Sequence, residues 1–293
     1  MNGGNEAWRT WPLAQREREY SPSSCVPSSA SILAEYNARS RVAERSLPCQ
    51  KNLRWGDGPD ETFDLFPAAS RDAPLLMFIH GGYWQELSKD DSLFAARDCL
   101  ANGVAYAAID YTLAPRANIA TIVDQCRRAV ASLYRQAATL GFDRHRLYVA
   151  GSSAGAHLAA LLLVHGWHST HGIAEDAIAG AVLLSGIYDL APLVGTYIDA
   201  PLQLSPADVS LLSPIRLPPG RPVPVIVAWG VYETGEFKRQ SRAYAEQLRA
   251  GGFSVSAFEV AGTNHFNIVF GLADRTNTLG RATLELMTGK RAK

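Results

Sequence analysis

A mostly parallel, doubly wound α/β sheet is the architecture this sequence predicts, and three observations point to it. Short, nearly all-apolar runs recur along the chain: LLMFI, VAYAAID, RLYVAG, AIAGAVLLSG, VPVIVAWG and SVSAFEV. Longer helical patterns lie between them, the clearest carrying Ile119, Ile122, Val123, Cys126, Val130 and Leu133 on one face. The runs lack polar alternation, as strands covered on both faces do. Strands alternating with helices then give the doubly wound sheet.

Taken in order, residues 1–50 are polar and read as an N-terminal arm lying on a main domain of residues 51–293. SPSSCVPSS is turn-rich, and Ser28 to Glu44 is a weakly amphipathic helix candidate. From Asn52, NLRWG and ETFDLFPA flank a Gly-Asp-Gly-Pro turn and predict an antiparallel hairpin. With the six apolar runs this makes an eight-stranded sheet. Residues 187–222, rich in Pro, Leu and Ser, interrupt the rhythm; a connection this long in an α/β unit reads as a cap or lid. No internal repeat is visible.

Composition narrows the function. Lysine plus arginine equal aspartate plus glutamate at 28 each, which gives no electrostatic reason to expect nucleic acid or an anionic membrane as partner. No stretch approaches the roughly 20 apolar residues of a membrane span. The opening MNGGNEAWRTWPLAQRERE has no apolar core of signal-peptide length. Four cysteines (Cys25, Cys49, Cys99 and Cys126) follow no metal or disulfide spacing, and read as free thiols of a cytoplasmic protein.

The chemistry concentrates in YVAGSSAGAHLAALLL, where Ser153 stands between Gly151 and Gly155 in a G-x-S-x-G pattern. It follows a predicted strand and opens an apolar helix, the context in which this motif presents a nucleophile. Side chains at the glycine positions would collide across so sharp a turn. The helix N-terminus behind Ser153 aims N–H groups at a developing oxyanion. A serine hydroxyl needs a base, and in this fold the order is serine, acid, histidine. Glu233 in VYETGEF and His265 in AGTNHF complete that order, both at carboxyl ends of strands. Two other acids compete. Glu236 starts the next helix, where a negative charge suits the macrodipole, and Asp189 in SGIYDL follows the preceding strand.

Other histidines read differently. His157 is a packing residue on the nucleophile helix, and His80 braces a glycine turn by hydrogen bonding. His165, His168 and His171 lack a carboxylate ligand pattern and are not read as a metal site. In LLMFIHGGYWQ the strand ends in Gly81 and Gly82, where lipases and esterases carry an HGGG-type oxyanion loop. The N–H groups of Gly82, Tyr83 and Ala154 are the expected oxyanion donors. Trp84, Tyr188 and Phe266 are assigned to the substrate pocket, although Trp84 and Tyr83 could equally pack against the cap.

Together HGGYW, DYTLAP, GSSAGAHLA, SGIYDL, GEFKRQS and NHF resemble the serine-hydrolase kynurenine formamidases and their bacterial esterase relatives. These belong to the α/β-hydrolase superfamily, near the hormone-sensitive-lipase-like group. The resemblance runs from about Tyr20 to the C-terminal helix. It implies an α/β-hydrolase fold, Ser153 as nucleophile, His265 as base, and neither metal nor cofactor. Glu233 stands where these enzymes usually carry aspartate. The implied reaction is hydrolysis of a small-molecule amide or ester through an acyl-enzyme. An N-formyl aryl amine such as N-formylkynurenine is the leading substrate. A carboxylesterase on short-acyl or aryl esters is the alternative, and an inactive ligand-binding homologue the alternative of another class. The oligomeric state is left open, a homodimer included.

Overall fold

The structure is a computed structural model that describes residues 7–289. The chain opens with α1 (Leu13–Glu19) and α2 (Ser29–Ser46), the latter capped by the Ser28 hydroxyl accepting from Ser31 N–H. β1 (Gln50–Arg54) and β2 (Thr62–Phe66) form the expected antiparallel hairpin. Its register slips between Gln50 and Leu53, where Asn52 takes φ 53° and its N–H donates to the Asp64 carboxylate. The sheet continues with β3 (Leu75–Ile79), β4 (Ala105–Ile109), β5 (Leu147–Ser152), β6 (Gly180–Leu184), β7 (Val225–Tyr232) and β8 (Val255–Asn264). The strand order is β1-β2-β4-β3-β5-β6-β7-β8. β2 is antiparallel to β1 and β4; every later pairing is parallel.

Alternation along β3 divides the core. Leu75, Met77 and Ile79 pack with α4 (Ile119–Leu140), α5 (Ala154–Leu161) and α7 (Gly235–Ala250) on one face. Leu76 and Phe78 meet α2, α3 (Ala96–Ala101) and α8 (Thr278–Thr288) on the other. The whole apolar stripe from Ile119 to Leu133 is buried on α4, which runs from an Asn118 cap to left-handed Gly141. One strand departs from the expectation. β8 is an edge strand, and of its residues only Val260 is buried, so its apolar letters do not report two covered faces.

Within residues 187–222 lies α6 (Pro206–Leu212), opened by a capping box between Ser205 and Asp208. Among the described residues no helix is long and apolar enough to cross a membrane.

The join between β5 and α5 explains two glycines. A Cβ on Gly151 would lie 2.2 Å from Gly155 O, and one on Gly155 would lie 2.0 Å from Ile79 O and 2.6 Å from His80 O. All three obstacles are backbone and cannot rotate away. Gly155→Ala is therefore expected to destabilise the protein at or above the upper end of the ~1–3 kcal/mol typical of overpacking. Urea denaturation of the variant beside wild type measures this, and an unchanged midpoint would refute so close a contact.

Candidate active site

Ser153 occupies the elbow between β5 and α5 with φ 57° and ψ −119°, a region that non-glycine residues enter only under constraint. Its N–H donates to Leu184 O at 2.8 Å, tying the elbow to β6. It is 7% exposed and lines a cavity of about 310 Å³. His265 and the Gly81–Tyr83 turn line the same cavity.

The turn is built from β3 outward. His80 is buried, its Nδ1–H donates to Gly81 O at 2.9 Å, and its ring stacks on Tyr111 at 4.2 Å. Tyr111 donates its hydroxyl to His80 O and Gly81 O. Burial lowers the His80 pKa to about 4, so the ring is neutral at pH 7. This is the brace expected of His80. Gly81 passes so near the elbow that a Cβ would lie 2.8 Å from Ser152 O. Gly82 adopts φ 89°, and Tyr83 and Trp84 adopt φ 50° and 62°. Gly82 O accepts from the N–H groups of Gln85 and Glu86. Among the described residues the N–H groups of Gly82 and Tyr83 have no hydrogen-bond acceptor. Ala154 lies behind Ser153 rather than in the cavity wall; what it offers is the first N–H of α5, which helix geometry leaves without an intrahelical partner.

β7 and β8 bring the acid and the histidine together. Glu233 follows β7 directly, and its Oε2 accepts from His265 Nδ1–H at 3.1 Å. Its Oε1 accepts from Ser185 Oγ–H at 2.6 Å and from Gly230 N–H. Phe237 of α7 and Phe266 pack against the His265 ring. Donation from Nδ1 leaves Nε2 bare, the tautomer a general base needs. The competing acids are engaged elsewhere. Glu236 accepts from Tyr20 Oη–H at 2.6 Å and from Arg239. Asp189 pairs with Arg216 at 3.0 Å and accepts from Ala191 N–H.

Of the three residues assigned to the pocket, only Phe266 reaches it. Trp84 is fully buried with its ring edge-on to His157, because the left-handed backbone at Tyr83 and Trp84 turns it under α5. Tyr188 is also fully buried, stacked on Tyr244 at 4.3 Å, with its N–H held by Gln240. Both assignments are corrected: these rings support the site from the core and do not face a substrate. Pro22, Ser23, Leu33 and Tyr36 of the arm and Tyr197 and Ile198 of the 187–222 segment line the cavity instead. The sequence carries no chemical signature for these wall residues; only the Ser28–Glu44 helix pattern hinted that part of the arm is ordered. His165, His168 and His171 each have partners of their own. His168 stacks on Trp167, His171 bonds Trp167 O and Asp124, and His165 is exposed.

A sheet of this order with a serine raised on the β5–α5 elbow defines an α/β-hydrolase. A family model described as BD-FAE matches residues 64–183. The kynurenine formamidase of Salmo salar is 34% identical, over 96% of this chain and 98% of its own. That of Danio rerio is 33% identical with the same coverage. The chain belongs to the kynurenine formamidase family. Among solved structures, a candidate thioesterase from a Silicibacter species is similar with a TM-score of 0.80 and 27% identity, covering 93% of this chain and 98% of that one. An esterase from Pyrobaculum calidifontis shares the fold at a TM-score of 0.70 and 17% identity, over 90% and 93% of the two chains.

His157 gives a test of how α5 is held. It is fully buried, its Nε2–H donates to Leu212 O at 2.7 Å, and burial lowers its pKa to about 4. Between its ordinary value and pH 4 the unfolded chain binds a proton there and the folded chain does not. Stability contributed by the neutral ring is thus present above about pH 6.5 and lost as pH falls toward 4. Relative to His157→Gln, wild type should lose up to about 1.4 kcal/mol per pH unit across that window. Chemical denaturation of both proteins at pH 7, 5.5 and 4 checks it, and parallel pH curves would contradict it.

Proposed function

We propose that this protein is a serine hydrolase that cleaves N-formyl aryl amines of the N-formylkynurenine class through a formyl-enzyme. The observation that carries the reading is the His265–Glu233 hydrogen bond on a ring that shares its cavity with Ser153. In this reading Ser153 Oγ attacks the formyl carbon as His265 Nε2 takes its proton. The N–H groups of Gly82, Tyr83 and Ala154 hold the oxyanion. The C–N bond breaks and His265 returns the proton to the departing arylamine. Water, deprotonated by the same nitrogen, then releases formate and restores Ser153. Glu233 keeps the imidazole in its working tautomer and stabilises the imidazolium. The full-length similarity to kynurenine formamidases supports the amide substrate.

A second reading, a carboxylesterase on short-acyl or aryl esters, uses the same groups with an alcohol leaving. The esterase fold neighbours favour it. Four unpaired cysteines favour a reducing compartment, and we place the enzyme in the cytoplasm. We treat residues 1–50 and 187–222 as arm and cap to a main domain of residues 51–293, residues 1–6 and 290–293 lying outside the described ones; cavity-lining Pro22, Leu33, Tyr36, Tyr197 and Ile198 support this.

Side-by-side kcat/KM values for N-formylkynurenine and a graded series of acyl esters decide between the two substrates. A clear preference for the formamide is expected, and a preference for esters would leave only the second reading. Activity is expected to survive exhaustive chelation, since the proposed chemistry uses backbone donors; loss on EDTA treatment reversed by zinc would overturn that part.

Ser153→Ala should lower kcat by about 10⁴ or more. Glu233→Gln should approach the same loss, because an amide at that place favours the wrong imidazole tautomer. Glu236→Gln should instead lower the melting temperature and leave kcat nearly unchanged, since its partners are Tyr20 and Arg239. An active Glu233→Gln beside an inactive Glu236→Gln or Asp189→Asn would move the acid elsewhere.

A further inference from the structure

We infer that Ser185 is the positioning residue of the acid, an inference that rests on the proposed roles of Glu233 and His265. Ser185 directly follows β6 and is fully buried. Its N–H donates to Ala228 O at 2.8 Å, which carries the β6–β7 pairing one step past the strand end and fixes its Cα beside β7. At φ 50° the backbone is left-handed, a conformation glycine would adopt at less cost. What serine adds there is a hydroxyl, and that hydroxyl donates to Glu233 Oε1 at 2.6 Å. Gly230 N–H donates to the same oxygen. With Oε1 held by two donors, Oε2 is left for His265 Nδ1–H.

The need for such a donor is electrostatic. The Glu233 side chain is fully buried, and among the described residues no Lys or Arg pairs with it. With no cation beside it, a buried carboxylate is compensated and oriented by the donors around it. The titratable groups that face it are His265, after β8, and the phenol of Tyr188, which follows β6 and stays neutral because burial raises its pKa. Removing the Ser185 hydroxyl would leave Oε1 with Gly230 N–H alone and free the carboxylate to rotate.

Kinetics of Ser185→Ala and Ser185→Gly on the full chain test this, each also in a Glu233→Gln background. Glycine carries no penalty at positive φ, so it serves if alanine disturbs folding. Both single variants should lose about 10- to 100-fold in kcat, the worth of one hydrogen bond to a charged group, with little change in KM. In the Glu233→Gln background the same changes should cost little, because a residue that acts through the carboxylate has nothing left to act on. Wild-type kcat in both single variants, or an undiminished loss in the Gln background, would overturn the inference. Either result beside an inactive Ser153→Ala would leave the hydrolase reading standing. An active Ser153→Ala would instead remove that reading.

Discussion

The structure depends on one close approach of backbone to backbone, where the first turn of α5 lies against the end of β3. Gly155 has no room for a methyl group because the carbonyls of Ile79 and His80 occupy the space, and Gly81 has none because of Ser152 O. These glycines belong to two motifs far apart in the chain, yet they answer to a single contact. The contact brings the α5 N-terminus, with its outward N–H groups, beside the Gly82–Tyr83 turn. A bulkier residue at Gly155 would separate the Ser153 elbow from its neighbouring donors. Parallel pairing of β3 with β5, in register from Leu75↔Leu147 to Ile79↔Gly151, sets the height at which the two meet.

Loops that carry site residues must then be held from outside, and the segment from Glu19 to Tyr36 does much of this. Tyr83 donates its hydroxyl to Tyr20 O, Thr234 donates to Glu19 O, and Tyr36 donates to Phe266 O. One segment thus bonds the turn after β3, the loop after β7 and the loop after β8. Tyr20 is fully buried, and burial together with the adjacent Glu236 charge raises its pKa well above the ordinary range, so its hydroxyl stays a donor. From the opposite side, buried Lys89 pairs with Asp64 of β2 at 3.2 Å while its N–H donates to Asp110. That pins the chain just beyond HGGYW to the sheet. Support of this kind suits the oxyanion site proposed at the Gly82–Tyr83 turn.

How much of this was legible in the sequence follows from the range of each interaction. The strands β3 to β7 read plainly because burial on both faces leaves a continuous apolar run, and β8 misled because an edge strand does not. The elbow and the glycine turn were readable because local backbone geometry dictates their residue types. Trp84 and Tyr188 were misplaced for the converse reason. Whether an aromatic ring faces a cavity or the core is decided by the backbone two or three residues away and by partners such as His157 and Tyr244, which local pattern does not reveal. The arm's contribution was hidden for a related reason, since its bonds to distant loops run through carbonyls and single hydroxyls that leave no periodicity.

On the proposed reading, the choice of acid illustrates how partners separate residues that sequence order leaves equivalent. Asp189 and Glu236 each face a guanidinium, so their charge is already compensated and a nearby imidazolium would gain little from it. Glu233 has no guanidinium beside it, only neutral donors and one imidazole, which suits it to the proposed role of orienting that ring. The geometry also gives a reason for glutamate rather than aspartate at this position. Its two oxygens bridge from Ser185 at the end of β6 to His265 after β8, across the end of β7. An aspartate on the same backbone would draw the carboxylate back by about 1.5 Å, one carbon–carbon bond. It could then keep the histidine or the serine, but not both without a shift of the loop. On the proposed reading, glutamate and Ser185 therefore form a matched pair, and the longer acid is the consequence of where its second donor stands.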